Sequence, residues 1–461
     1  MSSFSNSRQS QGPESGATLY RPGMFESLKI RDYRFLWVSN LAASFAMQMQ
    51  MVARGWLIYD MTSSPLALTW VMLSFLLPSF LFSLAGGLIA DRLHKKPIMI
   101  TSQILNTLAT VALATIIYTG DITFWHFIYF GLFNGTVLSF SMPARSAIIP
   151  EVVGQEYLVN AMALQSATFN LSRILGPALA GGLIAVMAQG DTTSTRGVGI
   201  VFFVIAALYT LSVIATSLIH YVGAPHQRES QSMLADVVEG FRYMRDEKLI
   251  LGLLIMGFVP MTFGFSASFL LPAFNKDVIG GGPDDLGLIM AGMGVGALCG
   301  SLLLARFGDV GGKGKIMFVT SYCWAVALAV FAFSSNLWMA MVVGAVSGLF
   351  GSIFGAMNFS VVQMVIRAEI RGRVMAIMMM AHGLMPLGII PISAIAEFVG
   401  IDMALLFSAC MLAVSMLLLG MWFPELRRID KGYGPDTYAE EVPVIPNPAD
   451  QMPGIDDPKR L

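Results

Sequence analysis

The chain has little charge. Of its 461 residues only 12% are Asp, Glu, Lys or Arg, against 55% hydrophobic. A soluble domain carries about 25% charged residues, so this chain cannot cover a globular surface with polar groups, and its solvent over most of its length is expected to be lipid. The 28 basic and 29 acidic residues leave a net charge of −1, which gives no basis for binding nucleic acid by bulk charge. There are three cysteines, Cys299, Cys323 and Cys410, each inside an apolar run. They read as small packing residues and not as disulfides or metal ligands. No His/Cys/Asp cluster has metal spacing, so no metal or other cofactor is expected. A phosphate-binding Gly-Lys-Ser/Thr loop is missing, so ATP is not expected as an energy source. Gly292, Gly294 and Gly296 imitate a nucleotide loop, but they sit mid-way along an apolar stretch with no preceding strand, where glycines serve close helix packing. The first 24 residues lack the apolar core of a signal peptide and read as a disordered cytoplasmic leader.

What is abundant is apolar sequence in runs of membrane length. About 20 apolar residues make one spanning helix. Such runs recur at about 35–59, 66–90, 98–118, 124–142, 158–188 and 198–221, and again at 249–274, 286–307, 316–334, 338–365, 374–399 and 403–423. The expected fold is therefore an all-α membrane protein of twelve transmembrane helices in two six-helix halves, 25–222 and 249–423. A polar linker, 223–248, separates them; its apolar positions Leu234, Val237, Val238 and Phe241 suggest an amphipathic surface helix. The Pro- and charge-rich tail, 424–461, reads as disordered. Lys and Arg concentrate in the termini, the linker and alternate loops, whereas the opposite loops hold essentially Arg196 and Lys276. The positive-inside rule then places both termini and the linker in the cytoplasm.

The halves resemble one another. GGLIADR at 86–92 aligns with GSLLLAR at 300–306, an offset of 214 residues; 156–161 aligns with 371–376, and Gly176-Pro177 falls near Ile390-Pro391. Two related halves are the mark of a transporter built from repeats, with its site at their interface near the midplane.

The stretch LAGGLIADRLHKKP (84–97) closes an apolar run with a knot of charge and a very short loop. It resembles the loop motif of the major facilitator superfamily, Gly-x-x-x-Asp-Arg followed by basic residues. Further segments, GWLIYDMTSSPLAL (55–68), MPARSAIIPEVV (142–153) and NLSRILGPALAGGLIA (170–185), resemble the bacterial branch of that superfamily containing the enterobactin exporter and macrolide efflux proteins. The resemblance covers Phe25 to Arg428. It implies the major facilitator fold, alternating access, and a bacterial inner-membrane exporter of small organic molecules, coupled to protons. The alternatives are an importer of a neutral solute and a non-transporting sensor or assembly protein that keeps the fold.

The candidate residues follow. Gly87, Asp91, Arg92 and Lys95 form the conformational latch, with Asp91 placed to face the N-terminus of a helix in the other half, where the helix dipole stabilises a carboxylate. For Lys95 and Lys96 positive-inside placement is sufficient reason. Ala305 replaces the aspartate in the second half while Arg306 keeps the arginine, so the latch is one-sided. Gly176, Pro177 and Gly181 resemble the superfamily's antiporter motif on the fifth span, though three residues rather than two separate Gly-Pro from Gly-Gly. A packing kink is the plainer reading. Arg54 and Arg173 are ionisable groups inside apolar runs, hence functional candidates. Arg54 lies about 30 Å up the first span at ~1.5 Å per residue, where snorkelling to the outer interface is the alternative, while Arg145, after Pro143, reads as a loop organiser. Titratable acids in the spans are scarce: Asp60 and Glu397 lie near outer ends, and His382 in the eleventh span is a residue type that can titrate near neutrality, for which a hydrogen-bonded packing role is the plainer reading. The cavity is expected between the first, fourth, seventh and tenth spans. Gln48, Gln50, Asn134 and Asn358 supply neutral polar atoms there; Phe130, Phe133, Phe258, Phe265, Phe354 and Met357 supply an apolar wall. That wall, without a charged cluster, argues against a strongly ionic substrate.

Overall fold

In a computed structural model, residues 25–188, 195–221, 247–307, 311–366, 374, 378 and 385–429 are described. Secondary structure among them is helical, as a chain in lipid requires, since a helix satisfies its own backbone hydrogen bonds. The first set comprises α1 (Arg31–Thr62), α2 (Pro65–Arg92), α3 (Lys95–Thr119), α4 (Phe124–Met187) and α5 (Thr195–Ser217). The second comprises α6 (Lys248–Gly264), α7 (Ser266–Phe274), α8 (Pro283–Phe307), α9 (Lys313–Ala332), α10 (Leu337–Val365), α11 (Met385–Phe398) and α12 (Ile401–Trp422). Nine helical segments among the described residues are long and apolar enough to cross a membrane.

One of those segments is α4, whose 64 residues cannot be a single straight span. It breaks at Gly154, whose backbone (φ 68°, ψ 175°) is a conformation open essentially to glycine alone. The two arms, 124–153 and 155–187, run in opposite senses. The sequence reading ends the first arm at Met142 and places a loop after it. The helix instead continues through Pro143 and Pro150. Proline removes one donor, and in a membrane bundle the freed carbonyl can be satisfied by neighbours. This correction moves Arg145 from a loop onto a helix.

The connections are short and chemically specified. Ser64 accepts from the backbone of Ala67 and Pro65 opens α2, while Asn336 accepts from Met339 at the start of α10. Only Leu93 and His94 separate α2 from α3. Lys96 donates to the carbonyls of Ser217 (3.0 Å) and Ile219 at the end of α5, where a cation opposes the helix dipole. The first residues of the expected disordered tail are built into the fold: Leu426 and Ile429 are fully buried, and Gly314 N–H donates to the Ile429 carbonyl. The expected amphipathic linker helix falls on residues outside those described, apart from 247–248.

Let the end where α1 begins be the basal end and the other the far end. Within the first set, neutral polar side chains tie helices together. Ser39 on α1 meets Ser212 (2.8 Å) and Thr216 (2.7 Å) on α5 and receives Gln103 of α3. Tyr33 and Trp37 donate to Ala161 and Thr168 on the second arm of α4. Between the sets, the most extensive packing is α4 on α8 and α2 on α11. The buried core is divided unevenly. At the far end it is one continuous cluster drawn from both sets, including Trp56, Ile58, Phe127 and Phe202 with Leu270, Phe274, Phe331 and Ile392. At the basal end there are two clusters, one wholly of the first set around Tyr33, Leu36, Met99 and Ile148, the other wholly of the second around Leu253, Met317, Phe354 and Met416.

Candidate substrate site and gate

The far end is closed by polar contacts as well as by the shared core. Five hydrogen bonds among the described residues join the sets there. Lys276 binds Asp60 at 2.5 Å, and the Tyr59 hydroxyl donates to Asp277. Glu397 on α11 accepts from the Ser64 hydroxyl (2.7 Å) and the Leu66 backbone (3.3 Å) at the start of α2. One turn deeper, Thr69 meets Ser393 at 2.6 Å. Sequence reading places Asp60 and Glu397 only as acids near outer ends; their partners are more than 200 residues away and carry no local signal.

Beneath this gate α4 and α8 approach closely. A Cβ added at Gly181 would lie 2.2 Å from the Pro283 carbonyl oxygen, and one at Gly287 would lie 2.5 Å from that of Pro177. A Cβ at Gly294 would meet Ile174 and the Arg173 carbonyl, while Gly176 faces the Gln48 side chain of α1. Gly176, Pro177 and Gly181 therefore sit at a three-way junction of α1, α4 and α8. The glycines that imitate a nucleotide loop pack helices: a Cβ at Gly292 or Gly296 would strike α10 at Met341 or Ala345.

A small pocket lies between the sets just below the gate, lined by Met51, Arg54, Met72, Ser268, Phe269 and Met290 among others. Its volume is about 60 Å³, far short of the ~300–1,000 Å³ a drug-sized ligand occupies. Arg54 holds its guanidinium 5.8 Å from the centre of the Phe75 ring. One turn below, buried Gln50 accepts from the Tyr209 hydroxyl of α5 (3.2 Å), and its own Nε2 has no partner among the described residues. Arg54 and Arg145 both lie within electrostatic reach of Tyr209, as does Asn106 by hydrogen bonding. Asn106 in turn accepts from Asn134. Gln50 of α1, Tyr209 of α5, Asn106 of α3 and Asn134 of α4 thus form one polar cluster inside the first set, with Arg54 one turn from Gln50 toward the far end. Sequence reading takes Arg145 for a loop residue because Pro143 reads as a helix end; it lies on α4, between Ala144 and Ile148 of the basal cluster.

Other candidates are placed elsewhere. Asn358 is buried and donates to the Leu253 carbonyl at 3.1 Å, fastening α10 to α6. Phe354 packs beside Trp324, their ring centres 6.1 Å apart, and Met357 joins it in the basal core of the second set. Phe133 is exposed and lines an outward groove with Leu105 and Phe140. Gln48 is nearly buried and makes no hydrogen bond among the described residues. Arg173 is half-buried at the α4–α8 contact. Lys95 is fully buried and binds Glu151 at 2.7 Å, inside the first set. Arg92 is exposed at the end of α2. His382 and the side chains of Gly87 and Asp91 lie outside the described residues.

Two helical sets closed together at one end, with a polar site between helices beneath the closure, define a membrane transporter of the major facilitator fold. A point mutant of the nucleoside transporter NupG has the same fold, with a TM-score of 0.68 at 13% identity, covering 85% of this chain and all of that one. The chain belongs to the transmembrane secretion effector family, which it matches over residues 23–440. The multidrug efflux pump Tap of Mycolicibacterium fortuitum is 27% identical over 393 residues, 82% of this chain and 92% of that protein. Macrolide efflux protein A of Streptococcus pyogenes is 22% identical over 411 residues, 88% and 99% respectively. The efflux branch indicated by the sequence motifs is the one to which these relatives belong.

Proposed function

We propose that this protein exports amphipathic small molecules, such as drug-like compounds, siderophores or other metabolites, from the bacterial cytoplasm by alternating access, with protons as the counter-ion and no enzymatic step. The observation that carries the reading is the uneven core. One apolar cluster is shared at the far end and two separate ones lie at the basal end. That is the arrangement of two bodies rocking about a central site, with one side shut. Similarity to the efflux proteins supports the direction of transport.

In this reading the basal end is cytoplasmic and carries both termini, and the bundle has twelve spans in two halves of six. Arg31, Arg34, Lys95, Lys96, Lys313, Lys315, Arg427 and Arg428 cluster at that end, while Arg196 and Lys276 lie at the far end, in keeping with positive-inside bias. The present state is then the one with its outer gate shut. Asp60, Asp277 and Glu397 give that gate three carboxylates, each accepting a hydrogen bond across the sets. Gly176, Pro177 and Gly181 line the close α4–α8 contact, which parts when that gate opens. Gly87, Asp91 and Arg92 serve as the inner latch of the opposite state.

The test is accumulation of fluorescent amphipathic dyes in cells lacking endogenous efflux pumps. Expression of the protein should lower accumulation of at least one dye at least several-fold, and a protonophore should restore it. Equal accumulation with and without expression across the panel would rule out export; protonophore-insensitive export would rule out proton coupling.

A further inference from the structure

The proposed export leaves unexplained why α1 carries, one turn apart, an arginine without an ion pair and a buried amide nitrogen without a hydrogen bond among the described residues. An arginine inside a membrane bundle is costly unless its charge is compensated. Among the described residues Arg54 forms no ion pair; the bridges present are Lys29–Glu26, Lys95–Glu151, His220–Asp32 and Lys276–Asp60. Nor does it donate a hydrogen bond among those residues. The Phe75 ring approaches Arg54 at 5.8 Å, and such a contact engages the flat face of a guanidinium and leaves its in-plane N–H groups free. The buried Gln50 Nε2 is a further donor with nothing to bind among those residues. A buried donor without a partner is rare in native structures and calls for an absent acceptor. Cluster and pocket are contiguous through Arg54, which lines the pocket and lies one turn from Gln50, and the pocket walls are apolar and rich in methionine: Met51, Met72, Met290 and Phe269.

We propose that Arg54 and Gln50 form a binding site for the carboxylate of an anionic amphipathic substrate, whose apolar body lies against the methionine-lined wall between the two sets. This rests on the transporter reading and names the substrate class for it. A planar carboxylate matches the guanidinium fork, and the amide nitrogen one turn away is a further donor for it. Tyr209 is the positioning residue: its hydroxyl occupies the Gln50 oxygen and leaves the amide nitrogen for the ligand. The apolar wall selects the rest of the molecule loosely, because methionine adapts to several shapes.

The experiment uses the purified full chain in detergent and three probes that share one ring system: 1-naphthylacetate, 1-naphthylacetamide and 1-naphthylethylamine. Binding is read by calorimetry, and transport of the same probes is read in proteoliposomes. The wild-type protein should bind the carboxylate at least tenfold more tightly than the amide and the amine. Arg54→Gln should reduce carboxylate affinity to that of the amide, and Arg54→Lys should recover part of it. Arg196→Gln, at an exposed far-end arginine, should bind as wild type. Equal binding of acid and amide, or preference for the amine, overturns the anion site, and because the wild-type panel alone decides this, variants that misfold do not rescue it. The two readings fail separately: carboxylate that binds but is not carried sinks the transport reading, whereas transport of the amine alone keeps that reading and sinks the site.

Discussion

Replacing Gly181 by alanine should push the protein out of the state described. An added Cβ would lie 2.2 Å from the Pro283 carbonyl oxygen and 3.1 Å from the Asp284 Cα. A C–H···O contact needs about 3.3 Å, so α4 and α8 must part by about 1 Å at this level. The clash is with backbone and cannot be relieved by a rotamer change. Overpacking of this kind costs about 1–3 kcal/mol. That cost falls on the far-closed state, because the same helices separate when the outer gate opens. A shift of this size changes a two-state ratio by roughly 5–150-fold. Gly182, with nothing within 4 Å of its added Cβ, is the matched control. Spin labels on cysteines at Asp121→Cys and Ser335→Cys, both exposed far-end positions on opposite sets, report the separation by pulsed electron resonance in a background with Cys299, Cys323 and Cys410 replaced. Gly181→Ala should move population to the longer distance, and Gly182→Ala should not. An unchanged distribution in a folded Gly181→Ala protein, or the same change in both variants, would refute the assignment of α4 and α8 as the surfaces that part.

Other outcomes follow from particular contacts. Lys276→Met or Asp60→Asn removes the gate pair, in which the lysine is one-third exposed; the expected loss of ~0.2–1 kcal/mol should raise the far-open population by roughly 1.5- to 5-fold in the same distance assay. Glu151→Gln removes the carboxylate charge that faces the buried Lys95 ammonium and should destabilise the folded protein by ~3–5 kcal/mol, read as a lower unfolding temperature; the double variant with Lys95→Met should regain part of that loss. Gly154→Ala strains the turn between the arms of α4 by ~1–3 kcal/mol and should reduce the yield of folded protein in the membrane. At the basal end, burial raises the pKa of Asp32, but hydrogen bonds from the His220 and Tyr221 backbones and the His220 ring lower it further, for a net fall below 3.8. The folded-state pKa lies below the unfolded value, so the stabilisation is present above about pH 4 and is lost as pH falls through the folded pKa; Asp32→Asn should flatten thermal stability against pH in that window.

Membrane class, helical order and the efflux branch were legible in the sequence because each depends on local or collinear signals: run lengths, loop charge and contiguous motifs. Loop length at 93–94 was legible for the same reason. The break at Gly154 was not, because Pro143 and Pro150 look like stronger helix breakers than a glycine, and only bundle packing lets the helix pass through them. The gate was not legible, since Asp60 and Glu397 meet Lys276, Ser64 and Leu66 only after two distant stretches fold together. The site beside Arg54 was not legible either, because whether Gln50 meets Tyr209 depends on how α1 and α5 rotate about their axes. Asn358 illustrates the opposite error: a polar residue at an expected cavity position is used in fastening α10 to α6.

Transport itself tests the central claim most directly. Protein reconstituted into liposomes should be offered an amphipathic panel that includes acids, amides and amines, with and without an imposed pH gradient. The account predicts that at least one compound moves faster than in protein-free vesicles, that the gradient drives it above its equilibrium level, and that the favoured compound is an acid. Movement of every compound at the protein-free rate, with or without the gradient, would contradict it.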